Sequence, residues 1–332
     1  MIHPKVLYIG GTGRTGSTMI DQLLGQFAGY FSGGEMAFFW SRGITAGAIC
    51  ACGEPVQTCP VWRHAIAAVT ESPDQLAKRM VELRRRFWSP HVFLMWIPGF
   101  SRQRMRELAE FPATVEALYD DVASTQSSSV FIDSTKEPHY SYILREGSEL
   151  DLRFLHLVRD PRAVGCSWQR RKAETGLTTD EVMEQRSSTI SSAYFMFSNT
   201  VAELFWGSRP DKYAFLRYED FVDDPSGTLA AIGDFAGTPI VPESVLDELS
   251  FPIGKMHTSW GNPSRVGRTS ITIRQDDAWM SELSVLSKVV ITLLTLPLIL
   301  RYGYPIRPSG KRLTPRSSRL RAADLSQVQS AR

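Results

Sequence analysis

The sequence predicts an α/β fold in which a central parallel sheet is covered by helices on both faces, and three observations carry that prediction. Short apolar runs, "VLYI", "VFIDS", "RFLHLV" and "YAFLR", recur along the chain, and a stretch with helical character follows each. Strands that are apolar throughout, rather than on alternate residues, are buried on both faces, as parallel strands joined by helical crossovers are. The first of them runs through "GGTGRTGST" into a helical pattern, the order of elements in a phosphate-binding loop.

The first unit is a strand at residues 5–9, a tight turn and a helix over residues 15–27. A second strand is expected at "YFSGGE", residues 30–35. Residues 74–126 are mostly helical in pattern, and "FWSPHVFLMWIPGF" at 87–100 interrupts them; this segment is expected to be a mobile, apolar insert, with core packing as the equal alternative. Strands return at 130–134, 153–158 and 213–217. Ligands of such sheets bind at the carboxyl ends of the strands, which places residues 10–18, 133–136 and 159–162 on one rim. One domain is expected over residues 1–305, followed by a basic tail at 306–332.

With 43% apolar and 22% charged residues in 332, the composition is that of a soluble globular protein. The net charge of +2 hides an asymmetry. Residues 301–332 hold eight Lys/Arg against one Asp, a net +7, which leaves −5 for residues 1–300. The tail reads as a solvated, disordered end, with weak attraction to an acidic membrane surface as the lesser alternative and no nucleic-acid partner. The chain enters its first strand without the charged region, apolar core and cleavage site of a secretory leader, so a cytoplasmic location is expected. The most apolar stretch, residues 289–300, is interrupted by Pro297 and falls short of the about 20 residues a membrane span needs. A buried C-terminal helix is expected there.

Three of the four cysteines, Cys50, Cys52 and Cys59, lie in "CACGEPVQTCPVW". They lack the paired C-x-x-C knuckles of a strong zinc site, and His64 is the only further ligand nearby, so reduced thiols or a local disulfide are expected rather than a metal. Cys166, in a helical run, is expected to pack.

The glycine loop reads in two ways. Gly11, Gly13 and Gly16 satisfy the dinucleotide fingerprint G-x-G-x-x-G, and Glu35, 19 residues after Gly16, stands near where a ribose-binding acid falls. That acid should end a firm apolar strand, whereas Glu35 follows two glycines. The same residues also fit G-x-x-x-x-G-x-[ST], with Ser17 where an ATP loop carries lysine. Backbone N–H groups, with the Ser17 and Thr18 hydroxyls, would hold phosphate oxygens. The missing lysine suggests a ligand without a γ-phosphate, and Arg14 supplies a cation at the turn.

A second motif, "FLHLVRDPRAVGCSWQRRK", places Arg159 at a strand end and Ser167 eight residues on, two turns into a helix, where both could grip one phosphate. Taken together, "GTGRTGST" and "RDPRAVGCSW" resemble the paired signature of the sulfotransferases that use 3′-phosphoadenosine 5′-phosphosulfate (PAPS). "LRYEDFVDDP", "SWGNPSRVG", "CGEPVQTCPVW" and "LILRYGYP" are similar to further segments of that family, the last two to its bacterial members. The resemblance implies that Gly13, Arg14, Thr15, Gly16, Ser17 and Thr18 bind the 5′-phosphosulfate and that Arg159 and Ser167 bind the 3′-phosphate. It also implies that Arg265, in the closing loop, meets the 3′-phosphate, although the order of residues there departs from R-K-G.

Sulfuryl transfer to an alcohol needs an in-line acceptor oxygen, a base and charge stabilisation. Glu35 is the expected base, because its "GGE" context resembles that of the catalytic glutamate of tyrosine and heparan sulfotransferases; capping of the next helix is its alternative role. In "STKEPHY", which is similar to the K-T-H loop of cytosolic members, Pro138 stands in the histidine position, Lys136 is retained, and His139 is a fallback base that otherwise reads as a surface residue. Lys136 and Arg14 would stabilise the sulfonate oxygens. Ser134 is a candidate contact with substrate or cofactor, Asp133 is expected to anchor its turn, His156 to be a satisfied core residue and His257 to be structural or on the rim. No metal is required. The acceptor is expected to be a hydroxyl compound, apolar or amphipathic if the 87–100 aromatics meet it. A kinase or dehydrogenase using the same loop, and a catalytically silent nucleotide-binding relative, are the alternatives.

Overall fold

The strands along the chain are β1 (Lys5–Gly11), β2 (Tyr30–Gly34), β3 (Val130–Lys136), β4 (Asp151–Val158), β5 (Ala173–Glu174), β6 (Glu181–Val182), β7 (Tyr213–Arg217), β8 (Ser250–Pro252), β9 (Ser270–Thr272) and β10 (Arg321–Ala322). In this computed structural model, which describes residues 3–87, 95, 97–170, 173–174, 181–182, 184–242, 250–307 and 321–322, five of them form a parallel sheet in the order β2, β3, β1, β4, β7. β10 adds an antiparallel edge to β7, while β5 with β6 and β8 with β9 form small antiparallel ribbons. The expected parallel α/β sheet is therefore present.

The helices are α1 (Ser17–Leu24), α2 (Pro60–Val69), α3 (Pro73–Phe87), α4 (Pro98–Glu107), α5 (Glu110–Thr125), α6 (Pro138–Gly147), α7 (Pro161–Gln169), α8 (Ser188–Trp206), α9 (Tyr218–Asp223), α10 (Pro225–Ala236), α11 (Trp279–Glu282), α12 (Val285–Leu294) and α13 (Leu296–Tyr302). Their starts follow from local chemistry. Asp160 caps α7 through the Arg162 N–H (2.9 Å), Asp224 caps α10 through that of Gly227 (2.9 Å), and proline opens α2, α6, α7 and α10, where its missing N–H costs nothing.

Alternation along β1 decides the two layers. Val6 and Tyr8 face one cluster with Tyr119, Tyr140, Phe154 and Trp206 from α5, α6, β4 and α8. Leu7 and Ile9 face the other, with Ile20, Leu24, Leu229 and Ile232 from α1 and α10. Each such side chain contributes about 1.5–3 kcal/mol on burial, so β1 is anchored from both sides and its carboxyl end is a fixed platform. His156 sits inside the sheet with Nδ1 2.7 Å from the Tyr213 hydroxyl and Nε2 2.8 Å from Asn199, a satisfied core histidine as expected.

One expectation is corrected here. Residues 289–300 form no single buried helix: α12 and α13 meet at 76°, with Pro297 in the first turn of α13. Ile291, Leu298 and Ile299 are buried while Val289, Leu293, Leu294 and Leu300 are exposed. Proline cannot extend the ladder of the preceding helix, and the break turns half of the apolar face outward. No single described helix is long and apolar enough to cross a membrane, although this bent pair passes by length and composition. The four cysteines are free thiols, one of the two states expected for Cys50, Cys52 and Cys59, and His64 is directed to Asp121 (3.0 Å) rather than to them. Most of the 87–100 aromatic run, including Trp88 and Trp96, lies outside the described residues.

Candidate active site

The turn after β1 is held in a shape that side chains resist. Gly16 has φ 93°, and a Cβ there would lie 2.6 Å from the Tyr218 ring; Arg14 itself has φ 70°. The turn therefore passes close under Tyr218 and delivers Ser17 to the first position of α1, with the backbone N–H groups of the helix start directed to the rim. Thr15 is buried and spends its hydroxyl on the Thr12 carbonyl (3.1 Å), so it supports the turn from behind.

Arg159 and Ser167 flank the same turn. The guanidinium of Arg159 donates to the Arg14 carbonyl (3.4 Å), pairs with Asp276 (3.0 Å) and lies over the Tyr218 ring (4.7 Å). The Arg159 pairing holds the Asp276 carboxyl below its ordinary range against the opposing effect of burial. The side chain is thus pre-oriented before any ligand arrives. Arg14 stacks on Trp168 of α7 at 4.6 Å, which ties the two motifs together.

Glu35 and Lys136 meet at the rim. Both ladders of β3 break register there, between Tyr8 and Gly10 against β1 and between Ser32 and Gly34 against β2. Lys136 has φ 75°, an uncommon conformation for a residue with a side chain, and its ammonium group donates to Glu35. Glu35 precedes the short turn Met36–Phe38 but makes no side-chain cap to it, so the capping role is not the one adopted. Its N–H donates to the Trp260 carbonyl (2.9 Å), and a Cβ on Gly34 would lie 2.3 Å from that oxygen. Residues 258–260 thus run against β2, with Ser259 donating from its N–H and its hydroxyl to Gly33 (3.0 and 2.8 Å).

These elements enclose a cleft of about 730 Å³. Gly13, Arg14, Gly16, Ser17, Thr18, Glu35, Lys136, Arg159 and Ser167 all line it; Thr15 and Arg265 do not. Arg265 donates to the carbonyls of Gly261 (3.0 Å) and Ile49 (2.8 Å) and stacks on Trp260 (4.8 Å), so it braces the late loop. Arg268 lines the cleft in its place, as does Arg42 on the wide helical turn Phe39–Thr45. Trp168, Arg186, Tyr194 and Trp260 also line the wall; none was singled out in the sequence, although Trp168 follows Ser167 directly and shares its helix.

Other candidates fall outside the lining. Ser134 donates to the buried carboxyl of Asp21 (2.8 Å), and Asp133 accepts from the Thr135 N–H (2.9 Å) and the Tyr119 hydroxyl (2.7 Å), anchoring its turn as expected. His139 is no surface residue: it is buried beside Phe87 and Glu137, and burial pushes its pKa down.

Residues 6–243 match the family model described as the Sulfotransferase family, and the chain belongs to that family. It is 28% identical over 193 residues to carbohydrate sulfotransferase 3 of Homo sapiens, an overlap covering 52% of this chain and 38% of that protein's length. Among solved structures it is similar to the sulfotransferase domain from the curacin biosynthetic pathway, with TM-score 0.55, 18% identity and coverage of 92% of this chain and 99% of that one. The sulfotransferase domain from the Synechococcus PCC 7002 olefin synthase matches with TM-score 0.53 and 18% identity over 93% and 98% of the two chains. At these identities the two structures establish a shared fold.

Proposed function

We propose that this protein transfers the sulfuryl group of PAPS to a hydroxyl of an acceptor molecule. The observation that carries the reading is the convergence of three separate segments on one cleft: the turn at 13–18, the Arg159 and Ser167 pair, and the Glu35 and Lys136 pair. Backbone N–H groups of the turn, with Ser17 and Thr18, bind the 5′-phosphosulfate, and no lysine is needed at position 17 because a sulfate stands where ATP carries its outer phosphates. Arg159 and Ser167 grip the 3′-phosphate, with Arg268 as the late-loop cation.

In the transfer, the carboxylate of Glu35 accepts the acceptor's hydroxyl proton while the acceptor oxygen forms its bond to sulfur. The bond between sulfur and the bridging phosphate oxygen breaks, and the electron pair leaves with 3′-phosphoadenosine 5′-phosphate. Lys136 and Arg14 stabilise charge on the sulfonate and bridging oxygens. None of these steps calls for a metal. Glu35 pairs with Lys136, a partner that the ribose-binding acid of a dehydrogenase does not require, which weighs against that alternative.

For the acceptor, the cleft wall is built from aromatic rings with guanidinium groups stacked on them, Arg186 on Trp168 and Tyr194 and Arg42 on Trp260, and this mixed apolar and cationic lining suits a polyol or amphipathic alcohol; the human relative's name points to a carbohydrate. The test is calorimetric binding of 3′-phosphoadenosine 5′-phosphate beside ATP, AMP and NAD, followed by PAPS turnover against carbohydrate and aryl alcohol acceptors. Selective binding of the bisphosphate with turnover supports the reading; preference for NAD or ATP overturns it, and binding without turnover on any acceptor makes the protein a silent relative.

A further inference from the structure

We propose that Cys50, Cys52, Cys59 and His257 form a structural zinc site. Their four ligand atoms all lie within 4.8 Å of one another. The Cys52 and Cys59 sulfurs are 3.7 Å apart, and the Cys59 sulfur is 3.2 Å from His257 Nδ1. A tetrahedral zinc with bonds of about 2.3 Å to sulfur and about 2.0 Å to nitrogen requires ligand separations of about 3.5–3.8 Å, so one ion at the centre would satisfy the set with small adjustments. Three thiolates and one imidazole are a complete structural complement with no open position.

Cys59 stands at the N-cap of α2, the end of a helix that favours an anionic group. Cys50 and Cys59 are fully buried. His257 is held in place by its own carbonyl, which accepts from the Trp62 indole N–H (2.6 Å). A disulfide between Cys52 and Cys59 would need the sulfurs to close to about 2.05 Å and would leave Cys50 and His257 unmatched.

The site joins two distant parts of the chain, since His257 is 198 residues from Cys59. It pins the 50–59 loop to the segment whose Thr258 carbonyl accepts from the Ala51 N–H (3.0 Å) and whose Trp260 carbonyl holds the Glu35 N–H. The metal would therefore brace the rim of the cleft from outside it and take no part in the chemistry there. This inference stands on the cluster's geometry alone and is independent of the donor and acceptor assignments.

The experiment is elemental analysis of the full chain purified under reducing conditions without a metal-affinity step, with replacement of the bound metal by Co²⁺. One equivalent of zinc per chain is expected, and Co²⁺ should give sulfur-to-metal charge-transfer bands with the intense visible absorption of a tetrahedral site. Cys59→Ser and His257→Ala should lose the metal and Cys166→Ser should keep it. Should the first two variants not fold, chelator treatment of the wild-type protein replaces them, with release of one equivalent and a lowered Tm expected. Wild-type protein without stoichiometric zinc and without the Co²⁺ spectrum, or with a Cys52 to Cys59 disulfide by mass spectrometry, overturns the proposal.

Discussion

Lys136 donates a hydrogen bond to Glu35 at the carboxyl rim of the sheet, although 101 residues separate them. Each is brought there by a break in strand register at the end of its own strand, and the two breaks adjoin because β2 and β3 are neighbours. A carboxylate and an ammonium group so placed can divide the labour of sulfuryl transfer, one taking a proton and the other meeting negative charge on the group transferred.

Glu35→Gln is expected to keep the affinity for 3′-phosphoadenosine 5′-phosphate and to lower kcat by about 10²-fold or more, the loss typical of a removed general base. Single-turnover kinetics with calorimetry separate the two quantities. Near-normal turnover would remove Glu35 from the base role, and His139, buried outside the cleft lining, is poorly placed to replace it.

Arg159→Ala is expected to weaken bisphosphate binding by about 10- to 100-fold, since a hydrogen bond to a charged group contributes about 1.5–3 kcal/mol. Arg159→Lys should recover only part of this, because lysine keeps the charge but loses the planar fork and the stacking on Tyr218. Equal affinity of all three proteins would place the 3′-phosphate elsewhere.

The two late-loop arginines should separate cleanly. Arg268→Ala is expected to weaken donor binding with little change in Tm. Arg265→Ala is expected to lower Tm, since the carbonyls of Gly261 and Ile49 lose a charged donor and Trp260 loses its stacking partner. Thermal melts and calorimetry on both variants check this, and the reverse pattern would return the phosphate contact to Arg265.

Asp21 predicts a pH dependence of stability. Burial, opposed by hydrogen bonds from Ser32 and Ser134, pushes its carboxyl up to about 7. The folded state therefore binds a proton that the unfolded chain releases near pH 4. The corresponding stability is fully present below that pH and is lost as pH rises through about 7. Asp21→Asn removes the cost of charging a buried carboxyl, so it should stabilise the protein more at pH 8 than at pH 5, by at most about 2.7 kcal/mol, the equivalent of the two pH units between pH 5 and about 7. Urea unfolding at both pH values measures the difference; a gain independent of pH would exclude titration of Asp21.

The apolar runs and the glycine turn were legible because each is local: a strand buried on both faces must be apolar, and a turn under an aromatic ring must be glycine. The same is true of the Arg159 and Ser167 pair, whose spacing is set by one helix. Arg268, Arg42 and Trp260 were not legible, because their place on the cleft wall depends on where separate segments land.

By itself, the sequence determined the parallel α/β sheet, the glycine turn after its first strand and the charged residues along its rim. Periodicity, glycine placement and short-range spacing are properties of neighbouring residues, and they survive in a one-dimensional record. Only the tertiary structure decided that Glu35 spends its carboxylate on Lys136, that Arg265 braces a loop which Arg268 completes, and that the bend at Pro297 leaves half of an apolar helix pair exposed. It also decided that His257 joins three cysteines about two hundred residues away. Such meetings are fixed by the crossing of strands and the packing of loops, and these depend on contacts far apart in the chain.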